Sequence, residues 1–68
     1  MIKIKVKCLD DEGGDFEFMT ELPFKPEIGY EFKFWCNGDE HYSSINSIDI
    51  KLDINNKFMY LICYIDLF

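Results

Sequence analysis

Apolar side chains return at every second position along almost the whole chain. Ile2, Ile4, Val6 and Cys8 fall on one side of an extended backbone and Lys3, Lys5 and Lys7 on the other. A period of two is that of a strand with one face buried and one in water. No long run has the 3.6-residue period of an amphipathic helix. The chain is thereby committed to sheet. After the first strand, Phe16 and Phe18 alternate with Glu17 and Met19 in a second, and a third runs from about Tyr30 to Trp35. A fourth reads from Glu40 through Tyr42 and Ile45 to Ile48, Ile50, Leu52 and Ile54, and a fifth from Phe58 to Leu67. The connections carry turn chemistry. They are Asp10-Asp11-Glu12-Gly13-Gly14-Asp15, the Asn37-Gly38 pair expected of a type I′ hairpin, and Asn55-Asn56.

One stretch breaks the alternation, LPFKPEIGYEF at 22–32. Pro23 and Pro26 lack an N–H and hold φ near −65°, so neither fits inside a central ladder, and the residues before them are pushed to extended conformations. Gly29 permits a tight turn or a close backbone approach. The stretch reads as a rigid corner between two hairpins, with Leu22, Phe24 and Ile28 plugging the base of a barrel.

Two irregularities constrain the sheet further. In the fourth strand Tyr42 predicts even positions inward, Ile45 is odd, and Ile48 onward is even again. A bulge or bend at 43–47 would let one long strand pair with the third at its start and the fifth at its end. In the third strand Tyr30, Phe32 and Phe34 share the inner face, leaving Trp35 outward as a candidate interface anchor. The fifth strand is apolar on both faces, Phe58, Tyr60, Ile62 and Tyr64 on one and Met59, Leu61, Cys63 and Ile65 on the other. It must be covered twice. A second copy is the expected cover, with Met59, Leu61, Cys63, Ile65, Leu67 and Phe68 as the self-associating residues of a homodimer.

Size and charge narrow the function. At 68 residues the chain is a single domain, residues 1–68, with a thin core. Thirteen acidic residues face seven lysines and no arginine, a net charge of −6. Without arginine the bidentate grip on phosphate or guanine is missing, so nucleic acid is not the expected partner. An acidic surface fits a basic protein surface instead, with Asp10, Asp11, Glu12, Asp15 and Glu17 as candidate contacts. Met1–Lys7 alternates Ile or Val with Lys rather than presenting a signal peptide's apolar run, and 58–65 is too short to span a bilayer. Cys8, Cys36 and Cys63 form no C-x-x-C pair and are expected as buried thiols of a cytoplasmic protein in a bacterial host cell.

Residues able to carry catalysis are few. His41 is the single imidazole, read as a strand residue near a turn. Ser43 and Ser44 lie in no G-x-S-x-G elbow. Three cysteines with His41 lack zinc-ligand spacing, and glycines occupy positions where a calcium loop needs ligands. The expectation is a non-enzyme without metal or cofactor.

The order of hairpin, LPFKPEIGYEF corner, Asn-Gly hairpin and YSSINSIDIKL strand resembles the many small β-barrels of bacteria and their phages. Those share a Pro-x-x-Gly corner, here Pro26-Glu27-Ile28-Gly29, followed by a short strand, a tight hairpin and an aromatic-led strand, here from Tyr42. The resemblance spans about residues 20–66. It implies a partly open, Src-homology-like barrel and carries no catalytic residue across. The expected fold is all-β, five-stranded and antiparallel, without substantial helix. The expected role is protein–protein recognition, as in a phage- or mobile-element-encoded inhibitor of a host defence protein. The alternatives are a small-molecule module, with ligand held among Phe32, Tyr42, Tyr60 and Tyr64, and a structural homo-oligomer.

Overall fold

The structure, a computed structural model, describes residues 1–8, 16–36 and 38–65. It contains five strands: β1 (Ile2–Cys8), β2 (Phe16–Leu22), β3 (Glu31–Cys36), β4 (Asp39–Leu52) and β5 (Phe58–Ile65). They form one sheet in the order β2-β1-β5-β4-β3, curled into an open half-barrel. No helix among the described residues is long and apolar enough to cross a membrane.

The sheet is mixed, where a purely antiparallel one was expected. The β1–β2, β3–β4 and β4–β5 pairs are antiparallel, but β1 and β5 run parallel, with Ile4 opposite Leu61 and Cys8 opposite Ile65. The direction follows from the corner at 23–30, which starts β3 in the same sense as β1. Two further hairpins reverse the chain twice, so β5 runs as β1 does.

The corner is built as its residues dictate. Tyr30 N–H donates to the Glu27 carbonyl at 3.1 Å, closing a turn whose third residue, Gly29, has φ 92°. That positive φ defines a type II turn and favours glycine. Pro26 is fully buried, whereas Ile28 is 68% exposed and Phe24 41%. Pro26 is therefore the plug, and Ile28 points to solvent at the turn.

The anticipated break in β4 is present. Ile45 lies opposite Ile65 but Ser47 opposite Tyr64, so Asn46 is one extra residue and the strand bends there. Residues 39–44 pair with β3, and Ile45 and, past the bend, 47–52 pair with β5. The bend also sets the faces. His41 and Ser43 stand opposite Phe34 and Phe32 on the concave side, Ile45 and Ile48 follow, and Tyr42, expected inward, is 54% exposed on the convex side. Gly38 has φ 83° in the two-residue loop joining Cys36 to Asp39, as a type I′ turn needs; Asn37 lies outside the described residues.

The core lies on the concave face. Ile4, Val6 and Cys8 from β1, Leu61, Cys63 and Ile65 from β5, Phe34 and Cys36 from β3, and Ile45 from β4 are all buried. Phe34 is the hub of the aromatic packing. Its ring centroid lies 6.0 Å from Phe16, 5.7 Å from Phe18, 5.6 Å from Phe32 and 5.8 Å from His41.

Candidate recognition site at the open sheet edges

β2 and β3 are the edges of the sheet, and the curl brings them to face one another without pairing. No Cα of β2 lies within 8 Å of one in β3, wider than the 4.7–4.9 Å between paired strands. The rings of Phe16 and Phe18 reach across to Phe34 and close one end of the gap. The other end opens into a cavity of about 210 Å³. Phe18, Thr20 and Leu22 of β2 line one wall, and Phe32 and Phe34 of β3 the other. Ile4, Val6, Ile45 and Cys63 form its floor, and Pro26 and Tyr30 of the corner its end.

The two edges differ in what they offer a partner on the convex side. The β1 register places Glu17, Met19 and Glu21 outward on β2, opposite Lys7, Lys5 and Lys3. β3 turns out Glu31, Lys33 and Trp35. Three carboxylates and one lysine thus flank the gap. Trp35, expected outward, is 69% exposed. Tyr42 donates its hydroxyl to Glu31 Oε1 at 3.3 Å. Lys5 Nζ lies 3.8 Å from Glu17 Oε1 and 5.2 Å from the Tyr60 ring centroid, surface contacts worth little individually.

Other candidates are placed differently from the sequence-based expectation. Leu61, Cys63 and Ile65 lie in the chain's own core, because the curl of the sheet brings them into one buried cluster with Phe34 and Cys36 of β3; of the described self-association candidates, Met59 remains exposed. Tyr42, Tyr60 and Tyr64 are on the convex face, so of the four residues expected to hold a small molecule only Phe32 lines the cavity. Asp10, Asp11, Glu12, Asp15, Leu67 and Phe68 lie outside the described residues. Cys8, Cys36 and Cys63 are buried thiols, and burial pushes the Cys63 thiol pKa up. The Asp49 carboxylate accepts a hydrogen bond from the Tyr64 hydroxyl and holds its pKa above the ordinary tyrosine value. Among the described residues no cluster of three or more His, Cys, Asp or Glu side chains could hold a metal ion.

A partly open barrel was expected; that its opening lies between β2 and β3 was not. Its signal in the sequence is slight: β2 turns Phe16 and Phe18 inward and β3 Phe32 and Phe34, and nothing in their alternation says whether the two strands pair. Comparisons with protein-family models, with curated proteins and with solved structures find no match to this chain.

Proposed function

We propose that this chain is a non-catalytic recognition module that takes an extended segment of another protein along the gap between β2 and β3. The observation that carries this reading is the pair of unpaired sheet edges facing each other over an apolar floor. An added strand would give the free backbone groups of an edge their hydrogen bonds, while alternate side chains fill the cavity. The volume of 210 Å³ suits one or two apolar side chains and is below the roughly 300–1,000 Å³ of pockets that hold drug-sized ligands. Glu17 and Glu21 stand beside Lys7 and Lys3, and Lys33 beside Glu31, so the flanking charge is mixed and suits a segment whose outward positions are polar or of either charge, with exposed Trp35 at the rim. The occupant is thus an extended stretch alternating apolar with polar residues.

The test is selection from a random dodecapeptide library, followed by hydrogen exchange on the complex. The reading expects enriched peptides with that alternation and new protection at β2 or β3 edge amides. Failure to enrich any peptide, or protection confined to other strands, would overturn it. A small apolar compound that raises the melting temperature while no peptide binds would assign the cavity to a ligand instead.

A further inference from the structure

A third sheet edge is left open, along the second half of β4. β3 pairs with β4 only through 39–44, and β1 pairs with β5 only from Leu61 onward. Beyond the bend, residues 47–50 still have β5 and then β1 beside them, and only from Lys51 to Tyr60 do β4 and β5 continue as a two-stranded ribbon. Among the described residues, Ser47–Leu52 has β5 on one side and no strand on the other. A two-stranded ribbon is marginal by itself in water, and this one, with Ile50 just before it, leaves its apolar side chains uncovered. Ile50 is 63% exposed, Leu52 43%, Ile54 97% and Phe58 53%.

From this edge we infer a homodimer in which Ile48–Leu52 of β4 pairs antiparallel, about a two-fold axis at Ile50, with the same segment of a second copy. The sequence IDIKL is self-complementary in that register and in no neighbouring one. Centred on Ile50, each Asp49 stands opposite Lys51 of the second copy, twice by symmetry. On the other face Ile48 meets Leu52 and Ile50 meets its own image. Centring on Asp49 or on Lys51 sets like charges face to face, and a slip by one residue mixes apolar with charged positions. Charge selects this place on the molecule as well. The chain carries −6 overall, so two copies repel, but Asp49 and Asp53 are balanced here by Lys51 and Lys57. The pairing would extend the sheet across both copies, give the open β4 edge its backbone hydrogen bonds and set Ile48, Ile50 and Leu52 of the two copies side by side.

The experiment is sedimentation equilibrium of the wild type, D49K, K51D and the double swap D49K/K51D, with hydrogen exchange of the wild type across a concentration series. The wild type is expected to dimerise, with protection of the 48–52 amides rising with concentration. Each single variant converts two opposite-charge pairs into two like-charge pairs and should weaken the dimer about tenfold. The double swap recreates both pairs and should return to within about threefold of the wild type. A wild type that stays monomeric at millimolar concentration would overturn the inference. So would a dimer indifferent to the single changes, or one that the double swap does not restore. Should one single variant fail to fold, the exchange data on the wild type still decide the edge.

Discussion

The Gly29 amide donates to the Ile45 carbonyl at 2.8 Å, which ties the proline corner to β4 one residue before its bulge. Ile45 N–H donates in turn to the Tyr30 carbonyl at 3.0 Å. The corner and the bend in β4 therefore support one another, and between them they set where β3 starts and where β4 passes to β5. The curl of the sheet, and hence the gap between β2 and β3, depends on that joint.

Gly29→Ala should lower stability by about 1–2 kcal/mol, read as the urea midpoint with unchanged slope. Nothing lies within 4 Å of an added methyl group, so the cost is that of holding an L-residue at φ 92°. An unchanged midpoint would mean that the turn relaxes to another form.

Truncating Phe34 removes the hub of the aromatic cluster. Phe34→Ala should cost about 3–5 kcal/mol, against a total of about 3–10 kcal/mol for a domain of this length, and leave the protein largely unfolded at 37 °C. Phe34→Leu keeps most of the volume and should remain folded. Circular dichroism melts of the two variants check this, and equal loss in both would show that ring contacts rather than volume hold the core.

At the β4–β5 turn, Asp53 Oδ1 accepts from Asn55 N–H at 2.7 Å and from Lys57 N–H at 3.0 Å, and Asn56 sits at φ 62°. Asp53→Ala should cost about 1 kcal/mol through these two lost bonds, whereas Asp53→Asn keeps an acceptor and should cost less. Thermal melts of both variants measure the difference. Equal melting temperatures would show that the carboxylate contributes nothing to the turn.

Stability should fall on the alkaline side. Burial raises the folded-state pKa of Cys63, so above about pH 9, where the unfolded chain's thiol ionises, the unfolded state binds fewer protons than the folded one. The stabilisation is complete below that pH and is lost as pH rises towards the raised folded value. Urea titrations from pH 7 to about pH 10.5 should show this decline in the wild type and a shallower one in Cys63→Ala. Parallel declines would place the titrating group elsewhere.

Much of the local structure was legible in the chain. Period-two alternation located all five strands, Asn55-Asn56 marked the last turn, and the parity slip between Tyr42 and Ile48 announced the bulge at Asn46. These features depend on near neighbours, since alternation, positive φ and proline geometry act over a few residues. That the barrel is open was expected, but that the opening lies between β2 and β3 was not legible, because it is a relation between two strands that do not touch through their backbones.

The β5 strand marks the boundary between the two kinds of information. Its alternation assigns residues to two faces, but with apolar side chains on both, no local rule says which turns inward. The curl of the sheet resolved this by packing Leu61, Cys63 and Ile65 into one cluster with Phe34 and Cys36 of β3 and leaving Tyr60, Ile62 and Tyr64 outward. Likewise, proline and glycine made a corner inevitable, yet its direction made β5 parallel to β1 and buried Pro26 rather than Ile28. Backbone chemistry is local and can be read in order along the chain. Strand direction, inward face and closure of the sheet depend on contacts between residues far apart in sequence, and those contacts exist only once the chain has folded.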